Sequence, residues 1–163
     1  EMNRLLIESQ NKEKFLDSLI NASTDSIFSL DKDYKILNYN TAFEKAMAAS
    51  GQTLLKGFDF LSLFAQDEKM LAKEKGNFDK ALIFGETISI TNEYETPIGI
   101  LNISSSYASI KDSNGNIIAA ASFGKDITDI VNLQKNNEKL LHASQLKNEE
   151  LKAQEEELKN FRK

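Results

Sequence analysis

The sequence predicts an α+β domain carried between two helices, and three observations lead there. Two short strand-like segments precede a helical stretch, and three longer ones follow it. A five-stranded antiparallel sheet with short helices over one face satisfies that order. Asp112-Ser-Asn-Gly-Asn116 sits between the last two strand-like segments, and its Asn-Gly pair is a strong hairpin signal. Residues 23–128 hold 12 of the 14 aromatics and all seven glycines, whereas residues 129–163 hold 14 charges, seven of each sign, with no Gly or Pro. The core therefore lies in the middle, and the tail is one uninterrupted, charge-laced helix.

Along residues 2–21, Met2, Leu5, Leu6, Phe15, Leu16, Leu19 and Ile20 recur at helical spacing among charged neighbours, which predicts an amphipathic helix. Ser26–Leu30 reads as a strand, Asp31-Lys-Asp33 as a turn, and Tyr34–Tyr39 as the hairpin partner. Asn40 is suited to cap the next helix, on which Phe43 and Met47 share a face, and Gly51 ends it. Residues 57–75 lack clean periodicity and read as short helical turns packed over the sheet. Asn77 is expected to cap a helix running to Phe84, with Phe78 and Leu82 one turn apart and Gly85 as its stop. Strands are expected near 86–94, 98–110 and 116–127. The chain begins and ends inside helical patterns, which predicts a piece of a longer protein.

Composition narrows the function. At 163 residues and 40% hydrophobic content the chain can bury a useful core, and no run approaches the roughly 18 apolar residues of a membrane span. The expectation is a cytoplasmic protein. Net charge is −5, with no Lys/Arg cluster to neutralise phosphates, so nucleic acid is not an expected partner. No cysteine is present, which excludes disulfides, thiolate metal sites and cysteine nucleophiles. His142, the single histidine, lies in the tail in Leu141-His-Ala-Ser-Gln145, and Glu155-Glu-Glu157 reads as a charged helix surface. No Walker-type phosphate loop occurs, and no constellation of acids, bases and nucleophiles recommends an enzyme.

Five short signatures stand in order: Asp25-Ser-Ile-Phe-Ser-Leu-Asp31, Asn40-Thr-Ala-Phe43, Gly85-Glu86, Ser109-Ile-Lys-Asp-Ser-Asn-Gly115 and Asp126-Ile-Thr128. Each is weak alone. As an ordered set they resemble a PAS domain, the sensory module of bacterial histidine kinases and related receptors. The resemblance implies a linker helix over 1–22, a sensory domain over 23–128 and a coiled-coil signalling helix over 129–163. Ser109 stands where many relatives have proline, and Ser104–Ser106 makes the preceding strand unusually serine-rich.

By the same resemblance, Ile103, Ser105 and Tyr107 face inward from the fourth strand and Ile118, Ala120 and Ser122 from the fifth. Phe43, Met47, Phe60, Phe78 and Leu82 wall the other side. Small residues on the sheet side leave room for a small ligand; the same phenylalanines can equally fill that room themselves. A covalent flavin and the cinnamate chromophore each need a cysteine, which the chain lacks. Haem is disfavoured because His142 lies far from the place of the usual axial ligand. Non-covalent flavin is the least firmly excluded.

The resemblance also implies a signal junction at Asp126, Ile127 and Thr128, with Thr128 capping the output helix and Asp126 fixing its angle. Beyond it a heptad frame puts Ile130, Asn137, Leu151 and Leu158 at a and Leu133, Leu140 and Phe161 at d, with Ser144, Lys147 and Gln154 interrupting the seam. An imperfect coiled coil and a homodimer through the flanking helices are expected. The expected function is a PAS sensory and dimerisation module of a signal-transduction protein, most simply a histidine kinase. Its job is to relay the binding of a small molecule or partner into the tail. The alternative is a ligand-free PAS adaptor serving as spacer and dimer module.

Overall fold

The computed structural model describes residues 1–96 and 99–162. Ile98, expected in the fourth strand, and Lys163, expected in the tail helix, lie outside the described residues. The elements run α1 (Met2–Asn21), β1 (Ser26–Leu30), β2 (Ile36–Tyr39), α2 (Thr41–Ala49), a 3-10 turn (Phe60–Phe64), α3 (Glu68–Leu82), β3 (Ile88–Thr96), β4 (Gly99–Lys111), β5 (Ile117–Asp126) and α4 (Thr128–Phe161). All strand pairs are antiparallel, and the sheet order is β2-β1-β5-β4-β3. The chain thus has the α+β class and five-stranded sheet that its sequence predicts. It divides into two compact units, Glu1–Asp126 and Ile127–Lys163.

The hairpin turns are made by side chains bonding their own backbone. Asp31 Oδ1 accepts from the amides of Asp33 and Lys35, at 2.8 and 2.9 Å. That turn extends two positions further than expected, because Tyr34 adopts φ 60°, and β2 begins only at Ile36. Asp112 repeats the device, its Oδ1 accepting from Asn114 and Asn116, both at 2.9 Å, and Gly115 supplies the positive φ. These backbone hydrogen bonds hold the Asp112 carboxyl below the usual range.

Two expected elements need correction. Asn77 caps nothing: α3 starts nine residues earlier, where Asp67 accepts from the amide of Met70 at 2.9 Å. Gly76-Asn77 resembles a helix break followed by a cap, but burial of Asn77, Phe78, Ala81 and Leu82 carries the helix through. Ile118 does not face inward. Ile110 pairs with Ala119 and Lys111 with Ile117, so Ile118 is an unpaired bulge residue and is 49% exposed. Past the bulge the alternation resumes, and Ala120 and Ser122 are buried.

The core lies between the sheet and its helices. Phe28, Leu30, Phe43, Phe60, Phe78 and Tyr107 are its large members. The rings of Phe28, Phe43, Phe60, Phe78 and Tyr107 form a continuous chain. Phe28 stacks on Phe43 at 4.2 Å and tilts against Phe60 at 4.8 Å, Phe60 meets Phe78 edge-on at 5.5 Å, and Phe78 meets Tyr107 edge-on at 4.9 Å.

Candidate functional site

The expected pocket residues divide into an aromatic part and a polar part. Phe43, Phe60, Phe78, Leu82 and Tyr107 are buried and Met47 packs against them. Phe43, Phe60, Phe78 and Tyr107 belong to the ring chain, so at that end the walls touch one another. Ser105 and Tyr107 share a face of β4 with Ile103, and opposite them on β3 stand Ile90, Ile88 and Asn92. Ile103 is half-buried, and Ser105 and Ser122 are buried.

The polar part centres on a residue outside the expected set. Glu74, on α3, is 2% exposed. Its Oε2 accepts from the Tyr107 hydroxyl at 3.0 Å and its Oε1 from the Tyr94 hydroxyl at 3.2 Å. Tyr94 in turn accepts from Asn92 Nδ2 at 3.1 Å. Asn92 Oδ1 and Asn77 Nδ2 are buried and carry no hydrogen-bond partner among the described residues. Burial raises the Glu74 carboxyl above its ordinary range, against the opposing pull of the two tyrosine hydroxyls and of Lys73. Tyr94 and Tyr107 are raised as well, by burial first and then by the Glu74 charge.

Flanked by Lys73 and Lys75, Glu74 reads as a solvated surface residue. The available signal was its phase. Glu74, Asn77, Phe78, Ala81 and Leu82 occupy i, i+3, i+4, i+7 and i+8 of one helix, and all five are buried.

At the junction, β5 ends at Asp126 and α4 starts at Thr128, leaving Ile127 alone between them. Thr128 is not the cap. Ile127 occupies that position with φ −114° and no side-chain cap bond, and its carbonyl accepts the first helical bond, from Val131, at 2.9 Å. Asp129 lies in the first turn, where a negative charge complements the helix dipole.

Along α4 no described residue is buried. Ile130, Leu133, Leu140, Leu151, Leu158 and Phe161 are exposed, and Asn137 with them. No helix among the described residues is long and apolar enough to cross a membrane.

No protein-family model and no curated protein sequence matches the chain. Solved structures do. The chain is similar to the PAS domain of BvgS from Bordetella pertussis, at 18% identity and a TM-score of 0.59, over 82% of this chain and 98% of that one. It is similar to a PAS domain from Colwellia psychrerythraea, at 20% identity and 0.52, over 71% and 97% of the two chains. It is also similar to an RNA-binding Light-Oxygen-Voltage receptor, at 16% identity and 0.59, over 82% of this chain and 37% of that receptor. The chain spans little more than a third of that receptor's length. The fold is that of a PAS domain.

Proposed function

We propose that the chain is a sensory and dimerisation module of a cytoplasmic bacterial-type signalling protein, most simply a histidine kinase. A small molecule or partner acts on the PAS core, and the change leaves through Asp126, Ile127 and Thr128 into α4. One observation supports this above the others: β5 lies between β1 and β4 in the sheet and continues into a 34-residue helix across a single residue. A rearrangement of the sheet interior therefore has a short covalent route to the helix. The exposed apolar residues of α4 suit a second copy packed along Ile130, Leu133, Leu140, Leu151 and Leu158, with Asn137 setting a parallel register. The resemblance to an RNA-binding receptor is not carried over, because a net charge of −5 with no Lys/Arg cluster in the sequence does not favour phosphate binding.

In the longer protein, Asp126→Ala is expected to alter output while leaving the fold of the domain intact. Unaltered output from a folded variant would rule out the junction as the relay.

The ligand-free adaptor is favoured by the mutual contacts of Phe28, Phe43, Phe60, Phe78 and Tyr107, which close the apolar end of the core. Native mass spectrometry separates the two. A dimer carrying a reproducible extra mass supports a ligand-binding sensor, and a dimer of bare polypeptide supports the adaptor.

A further inference from the structure

Glu74 is a buried carboxylate with hydroxyl partners and no ion pair. Ion pairs among the described residues include Lys12–Glu8, Lys35–Asp59 and Lys75–Asp79, and Glu74 is in none of these. Lys73, beside it on α3, is exposed, and its pull on the carboxyl does not outweigh burial. The groups that face it come from two strands: Tyr94, with Asn92 behind it, from β3, and Tyr107 from β4. Of the other elements against α3, the 3-10 turn has no charged residue, and β5 carries Lys125 and Asp126, both exposed, with Asp126 two strands along from Asn92 in the same row. The 3-10 turn is Phe-Leu-Ser-Leu-Phe, and the buried residues of β5 are alanines and Ser122. A charge removed from water without a counter-ion is costly, and a carboxyl in that position gains by taking up a proton.

We propose that Glu74 is a proton-binding site whose charge state sets how α3 seats against β3 and β4. The cluster supports two hydrogen-bond arrangements, and in each one end of the Asn92 amide is left without a partner among the described residues. With Glu74 ionised, Tyr94 and Tyr107 each donate to one carboxylate oxygen and Asn92 Nδ2 donates to Tyr94, as found. When Glu74 takes a proton from solvent, its new O–H needs an acceptor, and the Tyr94 oxygen supplies one once that hydroxyl turns away. The turned hydroxyl needs an acceptor in its place. The amide that already contacts Tyr94 holds one, because Asn92 Oδ1 has no partner among the described residues and a half-turn of the amide presents it, moving Nδ2 to the unpartnered side. The proton enters without orphaning the carboxyl, and the direction of bonding along Glu74, Tyr94 and Asn92 reverses. The attraction that drew both tyrosines to a negative charge is exchanged for relief of the buried charge, which changes the seat of α3 on the two strands. This site stands by itself, whether or not Asp126–Thr128 relays anything.

The test is an NMR titration of the whole chain with glutamate side-chain carbons and tyrosine rings labelled. Ordinary glutamates titrate near about 4.3. One glutamate signal is expected to titrate above that group, to vanish in Glu74→Gln, and to share its midpoint with shifts of the Tyr94 and Tyr107 rings. The linked stability has a definite sign. The folded chain holds the proton more tightly than the unfolded chain, so the denaturation midpoint falls as pH rises from the ordinary glutamate range through the Glu74 midpoint. Glu74→Gln is expected to abolish that slope. A Glu74 signal that titrates with the exposed glutamates, or tyrosine rings that do not move at its midpoint, would overturn the proposal. The shared midpoint of the raised glutamate signal and the tyrosine rings is read on the unaltered chain, where through-bond assignment identifies Glu74, so the test holds even where the glutamine variant folds poorly.

Discussion

Asn40 Nδ2 donates to the main-chain carbonyl of Ile20 at 3.0 Å, so the residue that caps α2 also holds the last turn of α1. The same amide nitrogen reaches the Asp25 carbonyl at 2.9 Å, and Oδ1 accepts from Ile27 at 2.9 Å and Phe43 at 3.0 Å. Asn40 is fully buried, and its side chain joins α1, β1 and α2. Asn21 adds a second tie, its Oδ1 accepting from the amide and the hydroxyl of Thr41, both at 2.7 Å.

Asn40→Ala removes a helix cap and strands several buried backbone groups at once. A loss on the order of 3 kcal/mol is expected. Asn40→Asp keeps the two Oδ1 acceptor bonds but sets a carboxylate against the carbonyls of Ile20 and Asp25, so it is expected to destabilise too. Urea denaturation at neutral pH measures both. Wild-type midpoints would show that the four bonds do not tie these elements together.

Gly85 and Gly51 both end helical segments with positive φ, 69° and 78°. They differ in surroundings. A Cβ at Gly51 meets nothing within 4 Å, whereas one at Gly85 stands 3.2 Å from Ile117 Cδ1. Gly51→Ala is expected to lose about 1 kcal/mol from backbone strain alone. Gly85→Ala is expected to lose more, because Ile117 must also shift. Equal losses in thermal denaturation would remove the role assigned to that contact.

Tyr34, held at φ 60°, donates its hydroxyl to Asp79, which pairs with Lys75 at 2.6 Å, and the Lys75 ammonium lies 5.2 Å from the Tyr34 ring centre. Burial pushes the Asp79 carboxyl up, but the Lys75 ammonium and the Tyr34 hydroxyl together outweigh it and leave the carboxyl below its ordinary range. Asp79 therefore contributes stability that is present above the unfolded aspartate range and lost as pH falls through its folded value. This is the opposite sign to Glu74. Lys75 is half exposed, so the contribution is about 1 kcal/mol. Asp79→Asn is expected to flatten the acid limb of the stability curve below about pH 4. An unchanged limb would contradict the assignment.

Legibility in the sequence followed local chemistry. β1, α2 and the last hairpin are marked by residues that act within a few positions of themselves, namely Asn40, Gly51 and the Asp112–Asn116 turn. Gly76-Asn77 misleads for the same reason: its local preference is a break, and only the burial of Phe78 and Leu82 overrides it. The bulge at Ile118 depends on pairing with Ile110 and Lys111, which no short window contains. Glu74 becomes notable only once Tyr94 and Tyr107 arrive from strands 20 and 33 residues away.

The relay from β5 into α4 is tested most directly by a distance along α4 between two copies. The chain has no cysteine, so His142→Cys gives one labelling site at an outward position of the heptad frame. Spin labels there report the inter-copy distance by pulsed electron resonance, with and without Asp126→Ala. The relay predicts a defined inter-copy distance whose distribution shifts or broadens when Asp126 is replaced. An absence of any inter-copy distance, or identical distributions in the two proteins, would contradict it.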